Sequence, residues 1–596
     1  MLRPGFRVAE VDRFICTPAL ACRICCDSYR SRASEQDSDC WERSSPSRPT
    51  KSYERGLTWQ RRGLHLCTAS AAVTQSTLVG GQAGAPLMRY VSNALLIVFC
   101  MSFAAPGLAA DLRSQVERYR MAHEVHIVGE LDELIRLKSV AADPAGLAAA
   151  ADHLQALLKQ RGFKTMQLSA GPGIPPLVFG ILSSPGAKRT VVFYAHYDGQ
   201  PVTPSQWSSD PFIPVMRSGP LNSGGHDIDW KSATPPFDPG WRLFGRAASD
   251  DKTSIVAFLV AFDALKACGR KPSVNIKVTW EGEEEAGSPH LAEILRANQA
   301  LLAADLWLIG DAPIHQSGRQ MVYFGARGTV GLEATVYGPI RALHDGHYGN
   351  WVPNPAAMAS TLIAQMRDDE GRILIPGFAD DVRPLTNTEQ EAIGHLPRVE
   401  DALKQEFEIG RTEGDQGLTA SLMRPALNIR GIRSGQVGNA AANAIPTEAA
   451  ISIDFRLVPD QTPQTVRTSV ENFLQSKGWT IVTDEPDQAT RLAQPRIIRL
   501  KWDSGYPAFR SDMSTPVARA VIGTASEAAG YPVAVLPMIG ASVPIYLFAD
   551  RFKVPVIGLP IVNFDNNQHA ANENQRLQNL WDGIDTYAAM MARLSW

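Results

Sequence analysis

Asn275-Ile276-Lys277-Val278-Thr279-Trp280-Glu281-Gly282-Glu283-Glu284-Glu285-Ala286-Gly287-Ser288 runs from an alternating apolar stretch straight into a block of carboxylates. Ile276, Val278 and Trp280 alternate with polar neighbours, which predicts a β-strand over 275–280. Glu283, Glu284 and Glu285 then follow one another just past the strand end. Crowded carboxylates repel and raise one another's pKa, so they are poor structural material. A bound cation would explain them, and so would a proton that has to be moved.

Working outward, other strand ends carry matching chemistry. Thr190 to Ala195 is a continuous apolar run of the kind buried in a parallel sheet, and it ends in His196-Tyr197-Asp198-Gly199. His196 is a candidate metal ligand through one ring nitrogen, and Asp198 can accept the other ring N–H. Asp305 to Gly310 is a second such run and ends at Asp311. Val554 to Leu559 is a third, followed by a loop to His569 and a helix expected over about 572–591. Ser249 or Asp250 can N-cap a helix from Thr253 to Cys268, which Gly269 ends. An acid at a helix start needs no function to explain it, so Asp250 reads as a ligand only because the other candidates converge on it. In open α/β sheets the ligand site lies outside the carboxyl ends of the strands. Four strands leading to His or carboxylate groups, with Asp250 at a helix start, predict a dinuclear metal site on such a sheet. Upstream, helices are expected over 113–138 and 143–161, and strands over 164–168 and 177–182.

These motifs resemble one family. H-x-D at 196–198, G-R-x-x-x-D-D-K at 245–252, E-G-x-E-E-x-G-S at 281–288, Asp311 and His569 are similar to the co-catalytic zinc exopeptidases that include carnosinase, carboxypeptidase G, aminoacylase and succinyl-diaminopimelate desuccinylase. The form of the motifs is nearest to the carnosinase-like dipeptidases, and the resemblance runs from about 120 to 596. It implies that Asp250 bridges two Zn2+ ions, with Mn2+ or Co2+ as substitutes. His196 and Asp311 would complete one site, and Glu285 and His569 the other. Glu284 would be the general base and Asp198 the residue that orients His196. Glu283 is expected to be a bystander facing solvent. Ala247 and Thr253 stand where the family has glycines, but no ligand is lost.

Between 328 and 485 the pattern changes. Strands are expected over 331–337, 449–457 and 479–483, with helices over 353–367 and 462–477. That order predicts an inserted α+β, ferredoxin-like unit, and the resemblance implies a lid and dimerisation domain. Leu343-His344-Asp345-Gly346 resembles the family segment whose His stabilises the tetrahedral oxyanion, often in the other subunit's site. Asp345 replaces the usual Ser there. Asn443-Ala444-Ile445-Pro446 followed by Arg456 resembles N-x-I-P…F-R-L, where the Arg binds the substrate's α-carboxylate, a bidentate task for a guanidinium. Gly540-Ala541-Ser542 resembles a late substrate-contact loop. Asn443, Arg456 and Ser542 are therefore the substrate-binding candidates. Residues 217–240 are rich in Gly, Pro and Ser, and read either as an insertion over the site or as a solvated loop.

Composition sets the outer bounds. The chain has 596 residues, 44% apolar and 20% charged, with formal net charge −3. Its length calls for more than one domain, and its charge balance argues against a nucleic-acid surface. Seven of the eight cysteines precede residue 101. From Met88, a basic Arg89, an apolar 94–105 and a small-residue 106–110 form the layout of a secretory signal peptide. The apolar run is too short to span a membrane. Residues 1–87 are then expected to be a non-native extension from a wrong start, with 88–110 the leader. Catalytic parts are expected at 111–327 and 486–596, around the lid at 328–485. The mature chain would hold only Cys268, which fits a periplasmic or secreted protein without disulfides and without a membrane anchor after cleavage. The expected function is a di-zinc metallo-exopeptidase, of dipeptidase or carboxypeptidase type, that acts as a homodimer. The alternative is a deacylase of N-acyl amino acids that uses the same centre.

Overall fold

The computed structural model describes residues 105–596, with side chains from 112 onward. The expectations for 1–87 and for the leader at 88–110 lie outside the described residues, apart from the backbone of 105–110, which opens the first helix. Among the described residues no helix is long and apolar enough to cross a membrane.

An eight-stranded mixed sheet organises the chain, in the order Lys164–Leu168, Leu177–Leu182, Asn275–Glu281, Thr190–His196, Leu306–Ile309, Val556–Gly558, Met321–Tyr323, Ala534–Leu536. Thr190–His196 runs parallel to both its neighbours, and Val556–Gly558 is parallel to Leu306–Ile309. The continuous apolar run of Thr190–His196 has a simple cause. Val191, Phe193 and Ala195 enter the core on one face, and Val192 and Tyr194 the core on the other. With both faces covered, the period-2 pleat needs apolar side chains at every position. One face is packed by helices Ala105–Arg136, Lys252–Ala267, Pro516–Ala529 and Leu577–Arg593, the other by Leu291–Ala297 and Tyr546–Phe552. Lys252–Ala267 is buried nearly all round, which explains why its sequence lacks a polar face.

Register aligns the functional ends. His196 pairs with Glu281, Tyr194 with Ile309, and Gly558 with Ile309. The residues that follow these four strands therefore emerge on one edge of the sheet. At that edge Gly282 passes so close to the buried Tyr197 ring that an added Cβ would lie 2.3 Å from its hydroxyl. Only glycine fits at this turn out of the strand.

The second unit is a five-stranded sheet in the order Ala426–Arg433, Glu448–Leu457, Gly328–Tyr337, Ile497–Trp502, Thr480–Val482. Helices Pro355–Met366 and Pro463–Ser476 pack on it through a separate core. The first four strands and two helices form the split βαββαβ arrangement, and Thr480–Val482 adds a parallel edge. Two sequence expectations change here. Ala426–Arg433 was not anticipated, because it is mostly exposed and its register shifts between Ile429 and Gly431, which spoils the alternation. The boundary at 485 also moves, because Ile497–Trp502 pairs with Gly328–Tyr337 and buries Ile498 and Leu500 in this core. Which sheet an alternating segment joins is decided by its partner strand, and local sequence does not name the partner.

Candidate metal centre

His196 closes its strand fully buried, with Nε2 2.9 Å from Asp250 Oδ1. Its Nδ1 faces Asp198, at 3.2 Å from the carbonyl and 3.3 Å from Oδ1. His569 Nε2 lies 3.1 Å from the second oxygen of Asp250 and 3.3 Å from Glu285 Oε2. Asp250 thus turns one oxygen toward each histidine. Two groups of ligand atoms gather around it, each within 4.8 Å: His196 with Glu284 and Asp311, and Asp250 with Glu285 and His569. Asp198 accepts the backbone N–H groups of Glu284 (3.3 Å) and Glu285 (3.0 Å), so one carboxylate orients the imidazole and the carboxylate-bearing turn together.

The electrostatics are those of a site built around missing positive charge. Burial, then Asp250, pushes Glu285 up to about 8; burial and Asp250 likewise push Asp311 up to about 6. Burial drives Glu284 well above the ordinary carboxyl range, with Asp311 and Glu285 adding to it. Asp250 goes the other way: burial opposes its ionisation, but bonds from His196 and His569 hold it below the usual range. Four carboxylates against two imidazoles leave a deficit that a pair of divalent cations would balance. The donors are all nitrogen and oxygen, a set that suits borderline and hard divalent metals.

The helix after Asp250 begins at Lys252, not Thr253, and Asp251 occupies its N-cap position without a capping bond. Asp251 instead accepts from the Ser254 hydroxyl. Neither Ser249 nor Asp250 caps this helix, so the Asp250 carboxylate is free for the histidines. The helix expected from 572 starts at Leu577, because Asn574–Arg576 pairs as a strand with Arg242–Phe244. Glu283 does not face solvent: it is largely covered and pairs with His290 Nδ1 at 2.9 Å.

Glu573 was not anticipated, and it holds the centre together. It is completely buried. Its Oε1 accepts from the Ser249 N–H and hydroxyl (both 2.9 Å) and from the Asp250 N–H (3.0 Å). Its Oε2 accepts from the Ala247 N–H (2.9 Å) and from Arg246 Nη1 (2.8 Å). Arg246 also donates to the Ala570 carbonyl at 3.2 Å. The Arg246–Glu573 pair therefore locks the turn bearing Asp250 against the turn bearing His569. The sequence signal for it was slight: one glutamate four positions after His569, complementary to an arginine in a motif more than three hundred residues earlier. Two amides add to the frame, Gln568 Nε2 donating to Asp250 Oδ2 (2.6 Å) and Gln200 Nε2 to Glu285 Oε2 (2.7 Å). Replacing Glu573 by Gln removes the charge but keeps the shape. Metal affinity, measured by chelator competition, is expected to fall about 10- to 100-fold, the usual cost of losing a partner behind a ligand. Unchanged affinity would leave Glu573 a purely structural buried acid.

The substrate-binding candidates form two further clusters. Arg456 donates through Nη1 to Ser542 Oγ (2.6 Å) and through Nε to Asp454 Oδ2 (2.7 Å), so the structure brings Arg456 and Ser542 together. The Tyr506 hydroxyl responds to charges in both this cluster and the candidate metal centre. Burial and then Glu284 raise its hydroxyl pKa, while Arg456 and a bond with Ser542 act against them. His344 and Asn443 lie elsewhere. Leu343–His344 pairs with Ala444–Ile445, and the Asp345 N–H donates to the Asn443 carbonyl. The His344 side chain is 57% exposed, and its ring rests on His347 at 4.6 Å. Within one chain His344 touches none of the metal ligands.

A large mixed sheet whose parallel strand ends bring together two adjacent His/carboxylate groups, with one aspartate facing both histidines, defines a dinuclear metallohydrolase. The chain belongs to peptidase family M20/M25/M40, whose profile matches residues 192–593, and it is a metallopeptidase. Among its relatives, the Cys-Gly metallodipeptidase of Schizosaccharomyces pombe is 26% identical over 430 residues, covering 71% of this chain and 83% of that protein. The human Beta-Ala-His dipeptidase is 25% identical over 528 residues, covering 84% and 96%. An M20 metallo-carboxypeptidase structure from Sulfolobus solfataricus superposes with TM-score 0.63 at 26% identity, covering 78% of this chain and 98% of that one. Human carnosine dipeptidase 1 shares the fold with TM-score 0.64 at 22% identity, covering 81% and 98%.

Proposed function

We propose that the protein is a dipeptidase that uses two Zn2+ ions and Glu284 as general base. The observation that carries this reading is the Asp250 carboxylate, with one oxygen toward His196 and the other toward His569. His196 and Asp311 would hold one ion, Glu285 and His569 the other, and Asp250 both. Mn2+ or Co2+ could take the same donors. Held by these residues, the ions would supply polarisation of the scissile carbonyl and a lowered pKa for water. Glu284 takes the proton of the attacking water and returns it to the leaving amine nitrogen. Asp198, through the amides of Glu284 and Glu285, keeps the base and its neighbouring ligand in fixed relation. The likeness to a Cys-Gly metallodipeptidase and a Beta-Ala-His dipeptidase supports a dipeptide as substrate.

Arg456 would clamp the substrate's C-terminal carboxylate, with Ser542 and Asp454 holding its guanidinium in place. Amidating that carboxylate is expected to lower kcat/KM by about 10- to 100-fold, since hydrogen bonds to charged groups are worth about 1.5–3 kcal/mol. Equal rates on free and amidated dipeptides would remove Arg456 from this role. Asn443 lies with the His344 segment and would meet substrate only together with His344.

His344 is read as the oxyanion donor, supplied in trans within a homodimer. The exposed apolar side chains flanking its segment support that reading: Ile340 is 80% exposed, Trp351 79% and Val437 86%. Such a surface favours cover by another protein. The pattern at 88–110 supports export to the periplasm or beyond, and peptide mapping of the protein from native cells tests it. The test of the whole reading is a panel of dipeptides and N-acyl amino acids on zinc-, manganese- and cobalt-loaded protein. Faster hydrolysis of the N-acyl amino acids would replace the dipeptidase reading with the deacylase one.

A further inference from the structure

Val215–Arg217 and Arg242–Phe244 pair antiparallel, with Arg217 opposite Arg242. Hairpins of this kind normally close in about 2–5 residues. Here the whole stretch 218–241 stands between the two strands, and it is built, not slack. Its first part folds back on the hairpin: the Ile228 N–H donates to the Met216 carbonyl (2.8 Å), and Asp227 pairs with Arg217 Nε (2.8 Å). Its second part is nailed to the core. Trp230 and Phe237 are buried against each other, Phe237 stacks on Trp241, and the Phe237 N–H donates to Glu124 in the first helix. What remains is a short tip, 219–225, held upright by both anchors.

That tip forms one wall of a cavity of about 830 Å³, within the range for small-ligand sites. Leu221, Asn222, Ser223 and Gln568 all line it. Gln568 is the amide that donates to Asp250 Oδ2, on the side of the centre where His569 sits. The cavity therefore adjoins the metal ligands. Arg456 and Ser542 line none of it. A dipeptide whose carboxylate rests on Arg456 and whose scissile carbonyl rests between the two ligand groups extends its amino-terminal residue into this cavity. The lining is rich in hydrogen-bonding groups, with Arg242, Asp565 and Glu406 as its charged members. Arg242 is neutralised by Asp565 at 2.6 Å and also bonds to Asn574 (3.0 Å), and further carboxamides come from Asn566 and Asn572.

We propose that the 218–241 loop is the specificity wall for the substrate's amino-terminal residue, and that the subsite it closes selects a polar, hydrogen-bonding side chain. The inference rests on the dipeptidase reading. The exposed tip tolerates substitution, so two variants serve: Asn222→Ala with Ser223→Ala, which removes polar contacts, and Leu221→Trp, which narrows the cavity. Metal-loaded enzymes are compared by kcat/KM on Asn-Gly and Gln-Gly against Ala-Gly, and on Gly-Asn and Gly-Gln against Gly-Ala. The wild-type enzyme is expected to prefer the polar amino-terminal residue, and both variants to lose that preference by about tenfold, the scale of one or two side-chain contacts. The preference at the carboxyl-terminal residue should move by less than about twofold, since no contact there has changed. Equal shifts in both series, or none in either, overturn the specificity wall while leaving the dipeptidase reading standing. Failure of the wild-type enzyme to cleave any of these dipeptides overturns that reading, and this inference with it.

Discussion

Replacing Glu284 by Gln is expected to lower kcat by about 10²- to 10⁴-fold, the range that general-base catalysis supplies, while both metal ions remain bound. The substitution keeps size and hydrogen-bonding capacity and removes only the ability to accept and return a proton. Glu284 and Glu285 are adjacent, and both backbone amides are held by Asp198, so the turn should keep its shape. The measurement must include metal content, because a Glu284 oxygen also gathers with His196 and Asp311. A base that falls silent leaves two ions per chain and a normal KM. A ligand that is lost takes an ion with it. Near-normal turnover would refute the base assignment outright. The rise of the Glu284 pKa, driven by burial and by its acidic neighbours, is no obstacle. Cations at the two ligand groups reverse that balance, since a bound dication is the largest local charge in such a site.

The candidate ligand clusters were legible because each residue sits at a place sequence patterns mark well. His196, Glu285 and Asp311 follow strands whose apolar runs are unambiguous, and register puts those strand ends side by side. Asp250 precedes a helix with a recognisable stop. The frame behind them was not legible, for a physical reason. Glu573 acts through five hydrogen bonds to a turn more than three hundred residues earlier, and Tyr506 through its position between two charged groups. Such roles depend on which segments meet, and no local periodicity encodes that. The lid boundary failed in the same way: Ile497–Trp502 reads as a strand, but only its pairing with Gly328–Tyr337 assigns it to the smaller sheet. The 218–241 loop shows the converse. Its Gly/Pro/Ser composition left an insertion over the site and a solvated loop equally open, and Trp230 and Phe237 fasten it to the core.

Replacing Asp250 by Ala is expected to remove both metal ions and to lower hydrolysis by on the order of 10⁴-fold or more, because metal activation of water and carbonyl is worth several kcal/mol and each 1.36 kcal/mol is a factor of ten. The turn itself should survive. Its shape is set by Glu573 through the backbone N–H groups of Ala247, Ser249 and Asp250, none of which the substitution removes. What disappears is the one carboxylate that faces both histidines, at 2.9 Å and 3.1 Å. Asp311→Ala is the necessary comparison. Asp311 belongs to the group around His196 only, so its loss should release one ion and spare the one held by Glu285 and His569. Two ions lost in the first variant and one in the second is the signature of a shared aspartate between two sites. Two ions retained without Asp250 would mean that each histidine finds a complete ligand set elsewhere, and the bridging assignment would fall. An identical single loss in both variants would instead put Asp250 and Asp311 on the same ion, leaving His569 and Glu285 to hold the other without a bridge.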